Sequence, residues 1–117
     1  MKQQLTKEQS RRLIELGVPT EKASASIVEE TQGNCCSWTY PVFTIGDLLD
    51  VLPKDITRNE VVFKISISGF LQFWNIGYYD DFTKLLLFSE NGEELTEILY
   101  DTAMWCIENG YIKTEKL

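Results

Sequence analysis

The strongest pattern in the chain is an alternation. Val61, Phe63, Ile65 and Ile67 alternate with Val62, Lys64, Ser66 and Ser68, the period of two that a strand with one buried face requires. Ser68-Gly69 is a pair suited to a two-residue turn. A turn there sets Ile67 opposite Phe70, Ile65 opposite Gln72, Phe63 opposite Trp74 and Val61 opposite Ile76. In that register Phe70, Trp74 and Ile76 join the first four side chains on one face, whereas a slip by one residue scatters them. A second turn at Asp80-Asp81 sets Leu85 opposite Ile76 and Leu87 opposite Trp74. The other face of this three-stranded meander carries Val62, Leu71, Phe73, Leu86 and Phe88, so both faces call for cover.

The helical period appears three times. Glu93 to Asn109 runs between Gly92 and Gly110, with Leu95, Ile98, Leu99, Ala103, Trp105, Cys106 and Ile107 on a broad apolar arc. Leu99 and Trp105 are expected in the core. Glu93, Glu94, Glu97, Asp101 and Glu108 fill the opposite arc, with only Met104 among them. Near the N-terminus, Thr6 and Gln9 have capping-box spacing, and Lys7–Leu16 reads as a helix stopped by Gly17. Pro19 to Ala25 adds a short helical turn. Thr44 caps a third helix in which Ile45, Leu48, Leu49 and Leu52 form one stripe, ended by Pro53. Ser26–Thr31 and Cys35–Tyr40 flank the turn signal Gln32-Gly33-Asn34 and read as a hairpin. The expected fold is therefore α+β: one antiparallel sheet of about five strands, the meander of three plus the hairpin. A long C-terminal helix and short N-terminal helices pack it, in a single domain spanning residues 1–117.

Composition changes this picture little. The 117 residues are 44% hydrophobic and 25% charged, the balance of an ordinary globular domain with enough apolar surface to fold without a metal or disulfide. Charge matters more. The net charge is −7, which repels nucleic-acid phosphates and argues against direct nucleic-acid binding. Residues 1–60 carry seven basic and nine acidic side chains and residues 61–117 four and nine, so the second half holds five of the seven net negative charges. The N-terminus lacks the apolar core of a signal peptide. The longest apolar run, Leu85–Phe88, is too short to cross a bilayer. A cytoplasmic location without membrane contact is expected.

The chain has no histidine, which removes Ser-His-Asp and Cys-His pairs and the commonest general base near neutral pH. No catalytic, cofactor or metal residue is assigned, and no cofactor is expected. Cys35-Cys36 lacks the spacer of a redox Cys-x-x-Cys, and adjacent strand residues point to opposite faces; free cysteines are expected, with Cys106 in the core. Asp80-Asp81 lacks the further oxygen ligands of a calcium loop and reads as a turn. The aromatic run Phe70–Tyr79 has only Lys64 and Lys84 as nearby cations, which suits a sheet core better than a base-stacking platform. One energetic oddity remains. Glu93–Glu97 and Glu97–Asp101 are like-charged pairs four residues apart, each costing about 0.2–0.5 kcal/mol, and the helix carries no lysine or arginine to offset them.

Two stretches carry a resemblance. Phe43-Thr44-Ile45-Gly46-Asp47-Leu48-Leu49-Asp50-Val51-Leu52-Pro53 followed by a strand pair, and Ala103-Met104-Trp105-Cys106-Ile107-Glu108-Asn109-Gly110-Tyr111-Ile112, resemble small uncharacterised proteins encoded in bacterial prophages and other mobile elements. The resemblance implies a mobile-element accessory protein and brings no activity, cofactor or site residue with it. The resulting expectation is an interaction protein rather than an enzyme. Its partner would be another protein or a second copy, in a homodimer. The docking surface would be the acidic stripe Glu93, Glu97, Asp101 and Glu108 or the second apolar sheet face. The alternatives are an acidic nucleic-acid mimic that blocks a DNA-binding protein, and a histidine-free enzyme working through carboxylates.

Overall fold

The computed structural model describes residues 3–30 and 37–112, with the side chains of residues 29, 30, 37, 38 and 70 left aside. Ten elements follow one another: α1 (Lys7–Glu15), a 3-10 turn (Thr20–Lys22), β1 (Ala25–Glu30), β2 (Ser37–Val42), α2 (Ile45–Val51), β3 (Asp55–Arg58), β4 (Val61–Phe70), β5 (Phe73–Tyr79), β6 (Leu86–Gly92) and α3 (Leu95–Glu108). The α+β class is as expected; the single sheet of about five strands is not. β1 and β2 form an antiparallel pair of their own, and β3-β4-β5-β6 form a separate antiparallel meander.

The capping chemistry places the two short helices. Thr6 accepts from the Gln9 N–H while the Gln9 side chain accepts from the Thr6 N–H, and Thr44 and Asp47 make the same reciprocal pair on α2. The N-terminal segment ties the two together. Leu5 N–H donates to the Phe43 carbonyl at 2.8 Å and Ile45 N–H to the Gln3 carbonyl at 3.1 Å. Buried Ser10 accepts the Phe43 N–H at 3.1 Å, so α1 is fastened where β2 turns into α2.

The extra strand is β3. Asp55–Arg58 pairs with Val61–Lys64 through a turn at Asn59-Glu60, both in the left-handed region with φ of 52° and 65°. Four mostly charged or polar residues after Pro53 carry too little alternation to be read as a strand. Only Ile56 among them is buried, facing Phe63.

The β4–β5 turn lies at Leu71-Gln72 rather than Ser68-Gly69, so Ile67 pairs with Ile76, not Phe70. Each residue's partner moves by six positions, an even number, so Val61, Phe63, Ile65 and Ile67 keep their face in common with Trp74 and Ile76. Phe70, expected with them, instead belongs to β4 at the parity of Ser66 and Ser68 and pairs with Phe73. On the common face Phe63, Ile76 and Tyr78 are buried, Ile65 and Trp74 are half-buried, and Ile67 lies at the exposed end. The Phe70 side chain lies outside the described residues, as does the turn at residues 32–34.

In the next hairpin the shift is odd, and the consequence is larger. Ile76 pairs with Glu90 and Tyr78 with Phe88, where Leu85 and Leu87 were expected against Ile76 and Trp74. Phe88 therefore comes to the helix side of the sheet, and Leu85 is left exposed. The cause is a six-residue loop, residues 80–85, and a bulge between Tyr78 and Tyr79.

α3 lies on this sheet. Leu95, Ile98, Leu99, Ala103 and Cys106 are buried along it. Trp105 is only half-buried: its ring stacks on Phe88 at 4.5 Å between centroids and meets Tyr111 at 5.3 Å. α2 packs beside α3, and α1 lies against β2. The core runs from Leu5 and Leu13 through Phe43 and Leu48 to Ile76, Tyr78 and Leu99.

Candidate interaction surface

The face of the four-stranded sheet turned away from α3 has no layer over it among the described residues. Strand pairing arranges it in rows. Ser66, Gly77 and Ser89 form one row and Ser68, Asn75 and Asn91 the next. Asn75 is the hub of a neutral polar cluster. Its amide donates to Ser89 Oγ at 3.2 Å and to Asn91 Oδ1, and its carbonyl oxygen accepts from the Tyr79 hydroxyl at 3.0 Å. The Tyr79 ring lies over Gly77: a Cβ there would stand 2.8 Å from Tyr79 ring carbons and from the Phe88 carbonyl oxygen.

Apolar side chains flank this polar centre. Val62 is 45% exposed and Phe73 55%. Leu71, at the tip of the β4–β5 hairpin, is 88% exposed with a φ of 57°. A left-handed backbone costs a side chain such as leucine about 1–2 kcal/mol, and full exposure recovers none of it. Beside the tip, Ser68, Phe73, Trp74, Asn75 and Asn91 line an open cleft of about 330 Å³. The expected second sheet face is thus present with Val62, Leu71, Phe73 and Leu86, but without Phe88.

At the other end of the face the loop 80–85 is built around Asp80. Its carboxylate accepts the Phe82 and Thr83 N–H groups at 3.3 and 3.1 Å and the Thr83 hydroxyl. Its backbone closes the loop through Leu85 O at 3.0 Å and Lys84 N at 2.9 Å. The Thr83 hydroxyl, with those backbone donors, holds the Asp80 carboxyl below the ordinary range. Lys64, Ser66, Tyr79, Asp81 and Lys84 line a cleft of about 440 Å³ next to it. The Asp80 carboxylate is engaged by the donors of its own loop, which is the chemistry of a turn.

Glu93 and Glu94 precede α3, and Glu97, Asp101 and Glu108 lie on it. Glu97 Oε2 accepts the Gln9 amide of α1 at 2.9 Å, so it serves helix packing. Partial burial, and then the Glu97 carboxylate, raise the Asp101 pKa. Glu93, Asp101 and Glu108 remain exposed. Cys106 is fully buried, its Sγ 3.9 Å from the Tyr78 hydroxyl, which in turn donates to the Pro53 carbonyl at 2.9 Å. Burial pushes the Cys106 thiol up to about 11, so it is inert. Cys35 and Cys36 lie outside the described residues. Among those residues no three cysteine, aspartate or glutamate side chains gather as a metal site, and no helix is long and apolar enough to cross a membrane.

The Asn75–Ser89–Asn91–Tyr79 cluster was missed in the sequence because it exists only in the observed β5–β6 register. An Asn two residues before a Gly and four before a Tyr carried no signal by itself. Comparison with protein-family models, with curated proteins and with solved structures finds no match for this chain. The class that the fold defines is α+β with two antiparallel sheets, the four-stranded one carrying α3 on one face and no layer over the other among the described residues.

Proposed function

We propose that this protein is an interaction module that docks a protein partner through the uncovered sheet face, at the end marked by Leu71 and Phe73. The carrying observation is Leu71. It has neither burial nor a favourable backbone conformation to account for a leucine; a contact made on binding accounts for both. Strain combined with apolar exposure is a feature of contact sites. The neutral Asn75 cluster and the adjoining cleft supply hydrogen-bonding groups and shape around these anchors. An accessory role in a mobile element, the context its sequence resembles, suits a small protein that acts by binding.

The test is capture from a host lysate with wild-type, Phe73→Lys and Glu108→Lys baits. A protein retained by wild type and Glu108→Lys, lost with Phe73→Lys, and hardly weakened by salt is the expected result, because apolar contacts are not screened as charge pairs are. A partner lost with Glu108→Lys and released by salt would move the site to the acidic helix.

A further inference from the structure

β4 is ten residues long, and its neighbours cover it unequally. β5 pairs with it from Lys64 to Phe70, whereas β3 pairs only with Val61–Lys64. The last bond on the β3 side runs from Ile65 N–H to the Lys54 carbonyl at 3.1 Å. Along a strand the N–H and C=O groups of successive residues point to alternate sides. Ile67 and Gly69 therefore point the same way as Ile65, into the space where β3 is absent. Neither has a backbone partner on that side among the described residues, and Ser66, Ile67, Ser68 and Gly69 are all exposed.

Open edges are normally blunted by shortness, charge or proline. β3 has four residues, two of them Asp55 and Arg58; β6 carries Glu90, and β1 carries Glu29 and Glu30. The open half of β4, Ser66–Phe70, has no charge and no proline.

We propose that this edge pairs with the same edge of a second copy, in an antiparallel β4–β4 ladder centred on Ser68. That register sets Ile67 opposite Gly69 of the second copy and Gly69 opposite its Ile67, so the four outward-pointing residues exchange their N–H···O=C bonds. The side chains agree with it. The Trp74 ring already lies over Gly69, where a Cβ would stand 3.2 Å from it. Ile67 of the second copy lands opposite that glycine, beside the indole. An uncharged segment meets no repulsion from its own copy, and a twofold arrangement pairs the same uncharged edge of each chain with itself. The product is a continuous eight-stranded sheet from two four-stranded ones.

The purified chain alone tests this, so its outcome is separate from partner capture. Sedimentation over a concentration series should show a doubling of mass, with slowed amide exchange at Ile67 and Gly69 in the dimer. Ser68 sits at the twofold axis with its side chain exposed on the outer face. Ser68→Lys and Ser68→Asp should each fold, by circular dichroism, yet stay monomeric, because like charges then face each other across the axis. An equimolar mixture of the two should recover the dimer. A wild-type chain that stays monomeric, a dimer indifferent to both substitutions, or a mixture that remains monomeric would overturn the proposal.

Discussion

Two threonines of α3 show how much the local partner of a buried group matters. Thr96 and Thr102 are both buried. The Thr102 hydroxyl donates to the Ile98 carbonyl at 2.7 Å, while Thr96 Oγ1 has no partner among the described residues. A buried hydroxyl left unpaired costs about 1–3 kcal/mol, and a paired one contributes about 1 kcal/mol. Thr96→Val should therefore raise the urea midpoint, by about 1 kcal/mol of stability, and Thr102→Val should lower it by a similar amount. Equal effects would show that Thr96 has a partner. Gly77 makes the second prediction at this scale. A methyl group there collides with the Tyr79 ring and with the Phe88 carbonyl, so Gly77→Ala should cost about 1–3 kcal/mol. Adding Tyr79→Ala should recover only part of the loss, because the backbone contact stays.

At the scale of elements, Asp47 couples α2 to the chain that leads into β1. Its carboxylate accepts the Thr44 N–H at 2.9 Å, the Ser24 N–H at 2.8 Å and the Ser24 hydroxyl at 2.9 Å. Partial burial pushes its pKa up, but the hydrogen bonds from Thr44 and Ser24 outweigh burial and hold it below the ordinary 3.8. The folded state thus binds the proton less readily than the unfolded one. The stabilisation is complete above the ordinary aspartate value and is lost as pH falls through the lower folded value. Asp47→Ala should cost about 1–2 kcal/mol at neutral pH. It should also flatten the acid limb of a stability–pH curve measured by denaturant titration. An unchanged acid limb would assign acid sensitivity to other carboxylates, Asp80 first. The element on which the docking and pairing proposals rest is the β4–β5 hairpin, with Leu71 and Phe73 at its tip and the open part of β4 along its edge.

At the scale of the whole molecule the shape is set by having two sheets instead of one. A compact chain of this length has a radius of gyration of about 13 Å. This one reaches 16.2 Å, with extents of 60 × 39 × 17 Å. The thin dimension reflects one helix layer on one sheet layer, with nothing over the outer sheet face among the described residues. X-ray scattering of the monomeric Ser68→Lys variant should return a radius close to 16.2 Å. A value near the compact figure would mean that the β1–β2 pair folds back over the open face and covers Val62 and Phe73.

The sequence by itself determined what depends on near neighbours. Thr6 with Gln9 and Thr44 with Asp47 cap helices because the bonds they make span three residues. The alternation at 61–67 made a strand, and the stripe through Leu95, Ile98 and Leu99 made a helix buried on one side, because strand and helix periods are local geometry. Tertiary structure decided register. Whether Ile76 faces Leu85 or Glu90 depends on where a loop closes, and Asp80 closes it through bonds to Thr83 and Leu85 that no period announces. An odd slip in that choice moved Phe88 under Trp105 and assembled the Asn75 cluster on the far side. Glu97 gained its α1 partner in the same way, since Gln9 lies 88 residues away. The open edge of β4 is a tertiary fact as well: it exists because β3 begins only at Asp55, where the chain from α2 joins the sheet, and only the folded chain sets where that is.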